Sequence, residues 1–341
     1  MYVAGDTITA VIDIGSETAK IGYSDTLLPM IFCPSISWKN EYISPVTRSV
    51  VSDVGSYLRI LCDNAPRDAQ SLVISENTME AGGTKREILG YLMERRMCES
   101  VLFVRSGILD AFSYGKTTGV VVSLGGGSSQ VCSVVDGLIT CRRRLDVGGN
   151  DLTQDFRRGM EECGIDLRKF IGVNDGGSWC ERKIEFEKNE FCRYVKEAVL
   201  SFRSEETDRR YEFPNGETVE MEDWCNRISK RLKEVVKLIV EVTELNAMEV
   251  RSTLSSNILV GGGCGEIRGM ESFICEELGK ERPRWKVKVN VERSRFSTFE
   301  GGSVIGSMGS AKSFHIGIKD YEEYGEGILD RKKCEWIVET V

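Results

Sequence analysis

Twice in this chain a run of strand-forming apolar residues breaks on glycine and serine and turns straight back into another such run. The first is TAVIDIGSETAKIGY at 9–23, and the second is GVVVSLGGGSSQVCSVV at 119–135. Glycine permits the tight turn, and a turn of this kind aims several backbone N–H groups at one point. After each hairpin comes a further strand, PMIFCPSISW in the first case and LITCRR in the second, and then alternating helix and strand. Two such units in 341 residues predict an α/β fold of two related lobes, each large enough for its own core.

The remaining periodicity fills in the lobes. Helical spacing covers 56–62, 84–95, 108–115, 184–202, 235–244 and 270–278, and strand patterns cover 71–76, 101–106 and 257–260. A last apolar helix is expected to open at Gly301-Gly302-Ser303. The chain crosses between lobes at 116–119 and near Ser294. That places 1–117 and 295–341 in an outer lobe and 118–294 in an inner one.

Composition removes several chemistries. There is one histidine, His315, which excludes most zinc and triad sites, and its neighbours Phe314 and Ile316 suit a packed ring. Twelve cysteines are scattered without any CxxC pair, and the N-terminus lacks the basic-then-apolar layout of a secretory signal. Reduced thiols in a cytosolic or nuclear protein are expected. A net charge of −8 argues against broad nucleic-acid binding, and Arg142-Arg143-Arg144 reads as a solvated strand end. No run of 18 apolar residues suggests a membrane span.

Three glycine loops follow strands: Asp13 to Thr18, Gly125 to Ser129, and Gly261-Gly262-Gly263. None fits GxxxxGK[ST] or GxGxxG, so neither a Walker site nor a dinucleotide fold is indicated. Together, VIDIGSETAKIGY, TTGVVVSLGGGSSQ and SNILVGGGCGEIRG resemble the two phosphate loops and the adenosine loop of the actin superfamily. LDVGGNDLTQDF and EGGSVIGSMGSAKSFHIGIKDYEEYG are similar to later actin segments, and the likeness runs from about residue 7 to 333, weakest over 203–248. The N-terminal stretch, YEFPNG at 211–216 and IKDYEEYG look most like the nuclear subfamily-four actin-related proteins.

The resemblance implies ATP between the lobes, with Mg²⁺ near Asp13. Gly15, Ser16, Thr18 and Lys20 would face the phosphates from one side, and Gly125, Gly126 and Gly127 from the other. Gly262, Gly263 and Ile267 would hold the adenosine, with Glu190 toward the ribose and Arg295 beside the base. Family members that hydrolyse ATP carry an aspartate, a histidine and a glutamine where this chain has Ser123, Gln130 and Ser106. Their absence strips out the oriented nucleophile and much of the charge stabilisation that hydrolysis needs. A pseudo-ATPase is expected, binding nucleotide without turnover.

Conventional actin inserts a small subdomain after its third strand, and that subdomain makes the lengthwise filament contact. Only residues 37–48 stand there in this chain, too few for a packed subdomain, so a standard filament is not expected. The groove between the lobes would be walled by Phe112 and Tyr114 on one side and Val304, Ile305 and Met308 on the other, with Ile305 and Met308 on one helix face. The resemblance implies a nuclear structural subunit of chromatin-remodelling and histone-acetyltransferase complexes. It would dock on an amphipathic helix of a motor or scaffold subunit, beside conventional actin, with histones as shared contacts. Two alternatives stay open: an active ATPase or kinase of the same superfold, and a cytoskeletal actin or cytoplasmic actin-related protein.

Overall fold

The protein is seen here as a computed structural model, which describes residues 7–38, 42–79, 83–171, 181–202, 210–213, 216, 218–220, 222–291, 294–332 and 336–338. Pro214 and Asn215 of the YEFPNG stretch and residues 39–41 of the shortened segment lie outside those residues.

The first lobe begins with β1 (Thr9–Ile14), whose six residues are all buried, as expected of a central strand covered on both faces. It returns antiparallel as β2 (Thr18–Tyr23), followed by β3 (Ile31–Pro34). Two small ribbons come next, β4 (Ser37–Trp38) with β5 (Tyr42–Ile43) and β6 (Val46–Thr47) with β7 (Val50–Val51). They fall in the stretch after β3 where the sequence reading expects a shortened segment. α1 (Val54–Asn64) starts at Asp53, whose carboxylate accepts from the Ser56 N–H at 3.0 Å. Then follow β8 (Ser71–Glu76), α2 (Gly83–Glu94), β9 (Ser100–Arg105) and α3 (Ser106–Ser113).

The second lobe holds β10 (Gly119–Leu124), β11 (Ser129–Val135), β12 (Leu138–Leu145), α4 (Gly149–Glu162) and α5 (Glu181–Val199). After the ribbon of β13 (Arg210–Glu212) and β14 (Thr218–Glu220) come α6 (Glu222–Glu244), α7 (Met248–Ser255), β15 (Ile258–Gly261), α8 (Met270–Glu281) and β16 (Val289–Asn290). α9 (Ser297–Ser307) and β17 (Ile316–Gly317) return to the first lobe.

The duplication is visible strand for strand. One sheet runs β3-β2-β1-β8-β9-β17 and the other β12-β11-β10-β15-β16. In each, an antiparallel hairpin is extended by a strand parallel to its first member, β8 on β1 and β15 on β10. Both glycine turns therefore open at the same end of equivalent strands. A third core cluster, including Val11, Leu102, Ile108, Val121, Leu259 and Phe299, fills the space between the sheets.

Among the boundaries that differ from the sequence reading, three have a visible cause or consequence. α5 stops at Val199, because the Phe202 N–H leaves the helix to donate to the Arg268 carbonyl at 2.8 Å. α6 begins at Glu222, well before the apolar stretch that announced it. α9 opens at Ser297, not at Gly301, which sits mid-helix where a Cβ would collide with the Leu109 carbonyl of α3. Glycine here sets the close approach of two helices instead of marking a turn.

Candidate functional site

A cavity of about 340 Å³ lies between the lobes, within the range of small-ligand sites, and both glycine turns open into it. Asp13 is the penultimate residue of β1, and Lys20 stands opposite it in register on β2. The ammonium lies 3.0 Å from Asp13 Oδ2, and Ser75 Oγ donates to Oδ1 at 2.6 Å. Gly15 closes the turn by donating its N–H to the Thr18 carbonyl at 3.0 Å, leaving Ser16, Glu17 and Thr18 on the cavity wall.

Across the cleft, Gly125 donates to the Ser128 carbonyl at 3.2 Å, and Gly125, Gly126 and Ser128 line the cavity. Gly127 does not line it. A Cβ there would lie 2.7 Å from the Ser49 nitrogen and overlap Ser16 Oγ, so this glycine lets the two loops touch. Gly262 adopts φ of 83° and donates to the Ser294 carbonyl at 2.7 Å, which brings Gly263 and Ile267 to the third wall.

The sequence reading put Glu190 toward the ribose, but the structure keeps it off the cavity wall. Further along α5, Arg193 one turn on and Lys196 and Glu197 two turns on line the wall instead. Glu190 is held by Arg193, whose Nε donates to it at 3.1 Å. Arg295 does line the cavity, with Nη2 donating to Glu197 at 3.3 Å and Nε facing Glu266 at 2.9 Å as a charge contact. Glu17 went unnoticed in the sequence, although it sits inside the first loop. Burial pushes its carboxyl up, and the Arg193 guanidinium 3.6 Å away works against that rise.

The three substituted positions all face the cavity. Ser106 Oγ shares a hydrogen bond with Thr78 Oγ1 at 3.1 Å. Ser123 donates to Asp110 at 2.6 Å. Gln130 Nε2 donates to Ser128 at 3.2 Å, while its Oε1 is buried without a partner among the described residues. Asp110, on α3, was not singled out by sequence because one acid among apolar helical residues carries no motif. It also accepts from Ser297 at 2.7 Å and Thr298 at 2.8 Å, and burial pushes its carboxyl up despite those bonds.

A second connection crosses the cleft mouth. The turn between β6 and β7 consists of Arg48 and Ser49, both left-handed at φ of 51° and 61°. Arg48 reaches Asp151 at 2.6 Å, the Ser49 N–H donates to Ser16 Oγ at 2.9 Å, and Ser128 Oγ donates to Ser49 Oγ at 2.8 Å.

A profile of the actin family matches residues 39–335. The chain belongs to the actin family. It is similar to Actin-related protein 4 of Arabidopsis thaliana, with 21% identity covering 97% of this chain and all of that protein. It is also similar to Actin-related protein 4 of Yarrowia lipolytica, at 22% over 86% of this chain and 80% of the relative. The protein of the same name from Oryza sativa subsp. indica is 24% identical over 76% and 70%. Nucleotide binding is general in the actin family, and the cleft fits such a ligand. Its glycine loops line the wall, as do four basic side chains, Lys20, Arg193, Lys196 and Arg295, and Gln130 Oε1 is buried without a partner among the described residues. Among the described residues no three potential ligands cluster for a metal, so a cation beside Asp13 would draw its other ligands from phosphate and water.

The groove is less as expected. Val304 and Met308 are exposed, at 41% and 42%, but Ile305 is only 3% exposed and belongs to the core between the sheets. Met308 lies past the end of α9 in extended conformation, so the two share no helix face. Phe112 is half-buried, and Tyr114 turns its hydroxyl to the Val260 carbonyl at 2.7 Å. No helix of the described residues is long and apolar enough to cross a membrane.

Proposed function

We propose that this actin-family chain is a non-polymerising structural subunit that binds ATP, with Mg²⁺ near Asp13, and turns it over little or not at all. The observation that carries the reading is the fate of positions 106, 123 and 130. Each faces the cleft, yet two are hydroxyls spent on Thr78 and Asp110, and the third is an amide. No side chain at those positions can take a proton from water or hold a metal-bound water in line. Of the acids that line the cavity, Asp13, already engaged by Lys20 and Ser75, is the one at the first phosphate loop and so the one set beside a cation. Ligand bound only to the folded state would stabilise it by about 2.7 kcal/mol at a hundredfold excess over Kd.

The nuclear setting is supported by the likeness to proteins named Actin-related protein 4. In that setting the chain serves chromatin-remodelling or histone-acetyltransferase complexes, docked on an amphipathic helix of a motor or scaffold subunit, with conventional actin as neighbour and histones as shared contacts. The two short ribbons in place of a subdomain support a chain that does not form filaments. Purified protein should release ATP on denaturation and yield no ADP from added ATP. A tagged chain should be recovered from nuclear extract with a remodelling motor or acetyltransferase scaffold. Brisk ADP formation sinks the pseudo-ATPase reading, and recovery only with cytoplasmic filament proteins sinks the nuclear one.

A further inference from the structure

Residues 336–338 lie across both lobes at the groove. The Ile139 N–H, on β12 of the inner lobe, donates to the Trp336 carbonyl at 2.9 Å, and the Val338 N–H donates to the Ile139 carbonyl at 2.9 Å. The segment is thus a short parallel strand added to the free edge of the inner sheet, bridging Ile337 to Ile139. On the outer lobe, the Trp336 indole N–H donates to the Phe103 carbonyl at 2.9 Å, and its ring meets Phe314 with centroids 5.5 Å apart. Trp336 and Ile337 pack on the same core cluster as Phe112 and Tyr114, the two groove-wall residues of the first side. The turn between β11 and β12 also sits there, since a Cβ on Gly137 would come 4.0 Å from the Phe112 ring.

We propose that residues 336–338 are a tethered occupant of the inter-lobe groove, filling in the free protein the seat that a partner's apolar segment takes in a complex. This rests on the reading of the groove as a docking surface. The seat offers an unpaired strand edge, a carbonyl placed for an indole, and aromatic walls. Backbone pairing of that kind accepts many sequences, and the aromatic pocket selects among them. Among the described residues the hold is one bridge of two backbone bonds, one indole bond, the ring contact with Phe314 and partial burial. Trp336 also keeps φ at 55°, a left-handed conformation that bulky residues seldom adopt. A segment held so lightly can leave, while its tether keeps it at high local concentration and raises the threshold for any competitor.

The test uses the tail itself as probe: a fluorescein-labelled peptide of residues 334–341, CEWIVETV. It should bind a chain lacking 336–341 and bind the full chain at least about tenfold more weakly, because the seat is filled in cis. The same peptide with Trp336→Ala should bind neither. Amide exchange at Ile139 should be slow in the full chain and fast in the shortened one. If the shortened chain does not fold, Trp336→Ala in the full chain should speed Ile139 exchange in the same way. Equal peptide binding to both forms, or equal Ile139 exchange, overturns the occupancy. Unequal peptide binding with unchanged recovery of the nuclear partner by the shortened chain overturns the groove as docking surface and leaves the tail a structural staple.

Discussion

Lowering the pH from 7 toward 4 should find His315 neutral for most of the way. Its Nδ1 lies 2.9 Å from Ser71 Oγ, and Ser100 donates to Ser71 at 3.0 Å, so the relay ends with Ser71 donating to an unprotonated ring. A charged ring would reverse that bond, with Nδ1–H donating to Ser71 Oγ. Burial is the main force lowering its pKa to about 4, and Lys332 and Lys312 add repulsion. Lys332 is itself fixed by Asp320 at 2.8 Å. The unfolded chain takes up this proton near 6.5 and the folded chain only near 4. The stability contribution is therefore complete above 6.5 and is lost as pH falls through that window. From 6.5 to 4 the loss is about 3 kcal/mol. One histidine means one imidazole C2 proton resonance, so its titration can be followed by NMR without assignment. Denaturant unfolding of the native chain and of His315→Gln, at matched pH, isolates the energetic part from that of the carboxylates. A resonance that titrates at or above about 6, or equal pH slopes for the two chains, would refute the reasoning.

Three further outcomes concern the cleft. Gly127→Ala should lower stability by about 1–3 kcal/mol, because the new methyl meets the Ser49 backbone nitrogen 2.7 Å away, and a thermal melt reads it. Ser123→Asp, which restores the acid of hydrolysing relatives, should not restore turnover. It sets a second carboxylate where Ser123 Oγ now lies 2.6 Å from Asp110, at a cost of about 3 kcal/mol, visible in the denaturant midpoint. Glu17→Gln should stabilise the chain at high pH and change little at low pH. The folded state holds the Glu17 proton more tightly than the unfolded state, so stability is lost as pH rises through its raised pKa, and unfolding across pH 4 to 8 checks this.

The hairpins were legible because strand period, glycine turn and return strand all agree locally, and their duplication gave both sheets. α6 was read only in its last turns. Its earlier half is dominated by charged residues, and it is helical because one stripe, with Trp224, Ile228 and Leu232, reaches the inner core. The sequence reading gave Glu190, and not Arg193, a place in the cleft because register across a gapped stretch can slip by a turn, and both residues are polar; Arg193 is the one that lines the cavity. Ile305 looked like a groove wall since exposure depends on what faces the helix, here the space between two sheets. The pairing of residue 337 with 139 joins distant segments, and no local pattern announces it.

Asp110 has one more implication, for descent instead of stability. Its two oxygens answer hydroxyls from Ser123 on β10 and from Ser297 and Thr298 on α9. Losing the acid strands the hydroxyls of Ser123 and Thr298 and leaves Ser297 only the Ser294 carbonyl, and replacing Ser123 with an acid creates a like-charge pair. The four positions can therefore change safely only as a set. A lineage that once moved the carboxylate from strand to helix would find the way back closed one substitution at a time. Hydrolysis lost by that route would not return in single steps, even after any selection against it had ended.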